Sequence, residues 1–310
     1  MMRCMLSSSY WQRWGALAAS VLAGLWGAMA AQAAPLPSNE AERACWLRYT
    51  KERTRLNIKE PTQVDFSNLR HGDSLRSPFL VEFAVRGMGV VPAGKVQPGT
   101  GHHHVLVDVP LPSQIGEKIP FSDTHKHFGK GQTSAVLDLP AGKHTLRLLF
   151  ADHDHRPYFV YSREITINVI GPRAGHPSPV LHADDFDANC ALWYQDEVSR
   201  PRPAGERVLI ANLRDAEPVN SPFNLRFGID GLGVSAASQV VDKTGHFRLV
   251  VTQGGRPVKI VDLANGATQT NLGLPNGAYG LRLHFVDSSG SRDLVAPLDQ
   301  TVLVVAQDKF

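Results

Sequence analysis

LPAGKHTLRLLFAD at residues 139–152 and LPNGAYGLRLHFVD at residues 274–287 are one pattern written twice, 135 residues apart. In both copies Pro and Gly mark a turn, and the alternation of Leu and Phe with polar residues behind it has the period of two of a half-buried β-strand. Further pairs lie upstream at an offset of 144. Asn68-Leu69-Arg70 recurs as Asn212-Leu213-Arg214, and Ser77-Pro78-Phe79 as Ser221-Pro222-Phe223. Phe83, Gly87, Gly89 and Val90 recur as Phe227, Gly231, Gly233 and Val234, and Thr100-Gly101-His102 as Thr244-Gly245-His246. Cys45 and Cys190 correspond at an offset of 145. Such self-similarity over a domain-sized period is a tandem duplication.

Within each copy, Phe79 to Arg86, Val105 to Val109, Thr145 to Ala151 and Ile165 to Ile170 (and their counterparts) are rich in β-branched and aromatic residues, separated by Gly, Pro, Asp and Asn. Short strands between turn signals predict an all-β chain of two tandem immunoglobulin-like antiparallel sandwiches. Helical patterning is confined to the neighbourhood of each cysteine, at about Asn39 to Arg53 and Asp187 to Val198, so each sandwich is preceded by a short helix. The expected organisation is a leader over residues 1–33, a first unit over 34–171, a linker over 172–186 and a second unit over 187–310.

The leader carries Arg3 and Arg13, an apolar run from Trp14 to Ala30, and the small residues Ala31-Gln32-Ala33-Ala34. A basic start, an apolar stretch and an A-x-A site form a secretory signal, with cleavage expected after about Ala33 and retention as an N-terminal anchor as the alternative. The protein is therefore expected in the periplasm or secreted. Loss of Arg3 and Arg13 takes the formal charge from +3 to +1, and Lys and Arg are scattered, which argues against a nucleic-acid partner or an anionic-membrane surface. No later apolar run is long enough to span a bilayer. Cys45 and Cys190 read as one disulfide in an oxidising compartment, with two inert thiols as the alternative. Equivalent positions related by a pseudo-two-fold axis favour the bridge.

The first unit holds three H-x-H pairs: His102 with His104, His125 with His127, and His153 with His155. Residues i and i+2 of a strand share a face, so each pair can present two imidazoles to one site. The second copy is an internal control. His102 persists as His246, but His103 and His104 become Phe247 and Arg248, and His153-Asp154-His155 becomes Ser288-Ser289-Gly290. Matching Gln132-Thr133 to Gln269-Thr270 lowers the offset to 137, which predicts that the copy lost seven residues from the stretch holding His125 to Phe128. The frame stays while the imidazoles go, so folding does not need them. His144 stands where the copy has Tyr279, as a corner or packing residue.

Gly101-His102-His103-His104-Val105-Leu106-Val107-Asp108, His127-Phe128-Gly129-Lys130-Gly131-Gln132-Thr133 and Pro140-Ala141-Gly142-Lys143-His144-Thr145-Leu146, in that order, resemble the bacterial exported family catalogued as domain of unknown function 4399. The resemblance covers about Ser77 to Val169, and the second unit is similar to a decayed member. It implies no activity, and it places His102, His104, His125, His127 and His155 in the family's motifs. Ser134 stands where the family has an acidic residue, so no carboxylate role carries over there.

The leading expectation is a periplasmic metal-binding module with copper or zinc held by a subset of His102, His104, His125, His127, His153 and His155. Asp154 or Asp152 would serve as an oxygen ligand or as the partner of a ring N–H. The alternative is a cell-envelope structural or interaction protein that binds a partner protein or glycan without metal. Nucleophile-elbow, H-E-x-x-H and P-loop signatures are absent from the sequence, so an enzyme ranks third.

Overall fold

A computed structural model describes residues 31–56, 62–114 and 116–306, so all but the last three residues of the expected leader lie outside the described residues. No described helix is long and apolar enough to cross a membrane. The chain opens with a short strand β1 (Ala31–Gln32) and helices α1 (Glu40–Arg48) and α2 (Thr50–Arg53). The first unit follows as β2 (Gln63–Phe66), β3 (Ser74–Ser77), β4 (Phe79–Arg86), β5 (Gly89–Val90) and β6 (Thr100–Val107). It continues with β7 (His125–Phe128), β8 (Ser134–Leu137), β9 (Gly142–Ala151), β10 (Pro157–Tyr161) and β11 (Ile165–Pro172). Helix α3 (Phe186–Ser199) precedes the second unit: β12 (Arg207–Ile210), β13 (Glu217–Asn220), β14 (Phe223–Asp230), β15 (Gly233–Val234) and β16 (Thr244–Gln253). Strands β17 (Arg256–Asp262), β18 (Gln269–Leu272), β19 (Gly277–Val286) and β20 (Leu298–Val305) complete it.

Each unit is a two-sheet sandwich of immunoglobulin-like type, and the two repeat one strand order. The larger sheets run β3-β11-β9-β6-β5 and β13-β20-β19-β16-β15, with β7 on β6 and β17 on β16. The smaller sheets run β2-β4-β8 and β12-β14-β18. Pairing is mostly antiparallel; the edge pairs β3 with β11, β13 with β20, β5 with β6 and β15 with β16 are parallel. The parallel edges arise because the chain crosses between sheets before it returns to the edge of the larger one.

The units meet backbone to backbone through the repeated Gly-x-Gly-Val turn. Val90 N–H donates to the Gly266 carbonyl at 2.8 Å, and its counterpart Val234 N–H donates to the Gly131 carbonyl at 2.7 Å. A Cβ on Gly89 would lie 2.0 Å from the Asn265 carbonyl oxygen, and one on Gly233 1.8 Å from that of Lys130. Any side chain at either position would wedge the seam open, which accounts for both glycines.

The opening helices are exchanged. α1 and α2 precede the first unit but pack on the second: Trp46 Nε1 and Thr50 Oγ1 donate to the fully buried Glu217, which also pairs with Arg53. α3 precedes the second unit but packs on the first, where Asn68 donates to the Val198 carbonyl and the Ser74 N–H to Gln195. The helices meet each other at the Cys45–Cys190 disulfide, ringed by Trp46, Trp193 and Tyr194. The bridge expected from the cysteine correspondence is present.

Strand β6 is buried along its whole length. Its odd-numbered residues face the sandwich core, and there His103 packs between Phe83 and Phe150, at ring-centroid distances of 4.9 Å each. The copy has Phe247 at this place, between Phe227 and Phe285. His103 Nδ1 is buried with no hydrogen-bond partner, and burial lowers the ring's pKa to about 3.

Two predictions follow from this packing. Reduction of Cys45–Cys190 reopens a loop of about 145 residues and should cost roughly 4–5 kcal/mol in the chain-entropy model, read as a lower urea midpoint with dithiothreitol than without. An unchanged midpoint would show that the bridge does not constrain the unfolded chain. His103→Phe should stabilise by about 1–3 kcal/mol by removing a buried unsatisfied nitrogen. Because the folded pKa lies below the unfolded ~6.5, wild type loses stability as pH falls from 6.5 toward 3, and the variant's advantage should widen over that window. A destabilised variant would mean that the imidazole nitrogen has a partner in the core.

Candidate metal centre

The even-numbered residues of β6 point to the opposite face of the sheet, and His102 and His104 are both fully buried there. Their Nε2 atoms lie 3.0 Å apart. β7 pairs antiparallel with β6 and sets His127 directly across from His104. On the other flank His102 lies across from Ala151, the last residue of β9, and the turn beyond it returns His155 to the same spot. Ring centroids of the four imidazoles are 4.8–5.0 Å apart, except His104 to His155 at 6.0 Å. Ligand atoms of His102, His127 and His155 all lie within 4.8 Å of one another.

The turn that delivers His155 is organised by Asp152, whose Oδ1 accepts from the N–H groups of Asp154 and Arg156, each at 2.9 Å. The copy's Asp287 makes the same turn, which explains why that aspartate is retained without a histidine site. His155 sits at φ +66°, a left-handed conformation that disfavours L side chains, and its counterpart is Gly290 at φ +69°. Gly129 is a further enabling residue: a Cβ there would lie 2.2 Å from His127 Nε2, so only glycine leaves the ring its place.

Residues 116–124, ahead of β7, cover the cluster. Ile119 packs with Leu106, Leu149 and Ala151 in a small apolar cluster on this outer face, and its N–H donates to the His155 carbonyl. Phe121 lies over the imidazoles, 4.6 Å from the His127 ring and 4.9 Å from that of His155.

The environment favours the neutral form of His102, His104 and His127. Burial lowers the His102 pKa to about 3 and that of His104 to about 2, with the neighbouring imidazoles adding to the effect. His127 is lowered for the same two reasons. Nδ1 of His102 and His104 and Nε2 of His127 and His155 are buried without a hydrogen-bond partner. Four imidazoles with unengaged nitrogens are a donor set suited to a borderline-soft cation.

Not every histidine of the three pairs joins the cluster. His125 Nδ1 lies 3.1 Å from both the Ser122 and Thr124 hydroxyls at the edge of β7, where the strand has just begun. His153 lies in the turn after β9, not on a strand, so the i, i+2 rule does not bring it alongside His155. Asp154 is turned outward to Lys118 and Arg156. His144 bridges Asp108 at 2.7 Å and the Pro140 carbonyl at 2.9 Å, and Tyr279 reaches the matching Pro275 carbonyl at 3.0 Å. It is a corner residue.

The second copy corrects the expected site of the deletion. Arg248 pairs across the ladder with Asp262 just as His104 pairs with His127, so β17 keeps the strand and Asp262 replaces His127. Thr268, not Thr270, is the counterpart of Thr133, since each carbonyl accepts from the equivalent Phe N–H, of Phe227 and Phe83. The offset is thus 135 from His127 onward, nine less than upstream, and the missing residues belong to the loop that carries Phe121. In the copy Arg248 Nη2 and His246 Nε2 lie 2.8 and 3.1 Å from Asp262 oxygens, and Arg248 Nη1 donates to the Gly290 carbonyl at 2.7 Å. An ion pair fills the place of the imidazoles.

The family profile described as Domain of unknown function (DUF4399) matches residues 81–170 and again 225–304. Among curated proteins there is no significant match. Solved structures similar to the chain include the fibronectin(III)-like modules of Clostridium thermocellum CbhA, at 9% identity, covering 80% of this chain and 97% of that one with a TM-score of 0.22. A two-domain fibronectin type III segment of chicken tenascin is 13% identical over 79% of this chain and 100% of that one, with a TM-score of 0.20. Dimeric latent PorU from Porphyromonas gingivalis is 14% identical over 84% of this chain, which spans 21% of PorU's, with a TM-score of 0.26. With both of its units matched, over more than half of its length, the chain belongs to the DUF4399 family.

Proposed function

We propose that this is an exported metal-binding β-sandwich protein whose first unit holds one copper or zinc ion among His102, His104, His127 and His155. The observation that carries the reading is the convergence of four imidazoles, two buried and two half-buried, from three chain segments with ring nitrogens left unpartnered. The two described cysteines are bonded to each other, which leaves imidazole as the donor type and favours copper or zinc over metals that need thiolate. The disulfide and the signal-like N-terminal sequence support a periplasmic or secreted location. His125, His153 and Asp154 fall outside the ligand set on this reading.

The partner-binding alternative has one observation of its own. Among the described residues strand β17 pairs only with β16; it is exposed along most of its length and carries Val258 and Ile260 outward, so an envelope protein could add a strand there.

Calorimetric titration of the metal-free full chain with Cu(II) and Zn(II) tests the metal reading. One ion per chain is expected, with His102→Ala and His127→Ala weakening it by at least about tenfold, while His125→Ala and His153→Ala leave it unchanged. Ligation needs neutral imidazole, so affinity should fall with pH, but below the ~6.5 range of free histidine because His102 and His104 are held neutral well under it. Uptake that survives His102→Ala and His127→Ala together would sink the reading.

His155→Gly separates fold from site. It should gain about 1 kcal/mol of stability by relieving the left-handed backbone, as in the copy, and lose metal affinity. Loss of both stability and affinity would place His155 in the frame instead.

A further inference from the structure

The pseudo-two-fold axis relates Glu82 to Arg226 and Asp230 to Arg86, each pair 144 residues apart. On one side of the seam Glu82 and Asp230 clamp a cation. Arg202 donates to Glu82 at 2.6 Å and to the two oxygens of Asp230 at 2.9 and 3.0 Å. On the related side the charges are inverted. Arg86 on β4 and Arg226 on β14 line a cavity of about 80 Å³ between the small sheets, with Arg55 as a third guanidinium.

The counter-charge these cations have is shared: Glu82 and Asp65 both act on Arg226, but Glu82 is already paired with Arg202. Nε and Nη2 of Arg86 and Nε of Arg226 are buried without a hydrogen-bond partner. Among the described residues Asp65 is the one carboxylate lining the cavity; it accepts from Gln63 at 2.6 Å, and burial pushes its pKa up while Gln63 and the neighbouring guanidiniums of Arg163 and Arg226 pull it down. An uncompensated buried guanidinium is costly, whereas its planar fork of donors matches an oxyanion. The volume corresponds to two or three waters at ~30 Å³ each, or to one oxyanion group.

We propose that this cavity binds a small oxyanion, a phosphate, sulfate or carboxylate group, between Arg86 and Arg226. The site completes at one end of the seam, with anion between cations, what Arg202 between Glu82 and Asp230 does at the other. It is independent of the histidine cluster and stands whether or not a metal binds there.

The test is calorimetric titration of the oxidised full chain with inorganic phosphate at constant ionic strength, chloride being the balancing anion. One saturable site per chain is expected, weakened by about tenfold or more in R86Q and in R226Q. Ala84→Leu, which fills the cavity without altering a charge, should abolish binding and decides the matter if an arginine variant fails to fold. Competition by sulfate or by acetate supports the site and tells a tetrahedral anion from a carboxylate. No saturable heat at millimolar phosphate, or binding untouched by A84L and both arginine variants, overturns the proposal.

Discussion

Two backbone carbonyls, of Lys130 and Asn265, occupy the space where Gly233 and Gly89 would carry side chains, and the arrangement of the two units follows from that mutual approach. It fixes the units face to face about a pseudo-two-fold axis and sets the small sheets edge to edge, where Ile229 N–H donates to Thr133 Oγ1 and Gln269 Nε2 to the Val85 carbonyl. Helices that precede each unit can then reach the other one. Glu217 is the anchor of that exchange: a carboxylate with no exposed surface, it is tolerable only because Arg53 pairs with it and Trp46, Thr50 and the Arg214 N–H donate to it. Removing one partner would leave a buried charge, so the helix pair and the disulfide between them are locked to the seam.

Within that frame the two copies solve one problem differently. The outer face of the strand after the Thr-Gly-His motif must be covered or solvated. The second copy pairs Arg248 and His246 with Asp262, a self-neutralising set at the sheet surface. The first copy places imidazoles at all the corresponding positions and lays Ile119 and Phe121 over this face, so that it is covered by apolar side chains instead of an ion pair. His127 for Asp262 is the decisive exchange, since it removes the carboxylate that would otherwise satisfy the cluster internally.

Much of this was legible in the sequence. The duplication, the strands of each copy, the helix around each cysteine and the disulfide all rest on residues whose meaning is local or repeated: Leu-Arg-Leu-x-Phe alternates, and Cys45 matches Cys190. The even face of β6 was legible too, since His102 and His104 are two apart on a strand. The same rule failed at His153 because Asp152 makes a turn there, while His125, on β7 with His127, lies across from Leu106, beyond the cluster, beside Ser122 and Thr124. The exchange of helices was not legible, because Trp46 and Glu217 are 171 residues apart and neither belongs to a motif. The roles of Phe121 and Gly129 were not legible, because the register that leaves the Phe121 loop to the histidine-bearing copy alone is set by the ladders, and Gly129 stands in its motif with nothing local to tie it to the His127 ring.

The energetics point the same way as the geometry. A buried, unpartnered ring nitrogen costs on the order of 1–3 kcal/mol, and a non-glycine residue in the left-handed region costs a similar amount. The first unit carries several of the former at His102, His104, His127 and His155, and one of the latter at His155. Its sister, with the same strand order and the same Asp-organised turn, avoids the left-handed strain with Gly290 and carries one such nitrogen, Nδ1 of His246, whose Nε2 is engaged by Asp262. A fold that has a cheaper solution within its own chain does not need the expensive one to fold. The expense makes sense when a ligand takes the nitrogens, because a cation bound to the folded state alone returns its binding free energy as stability.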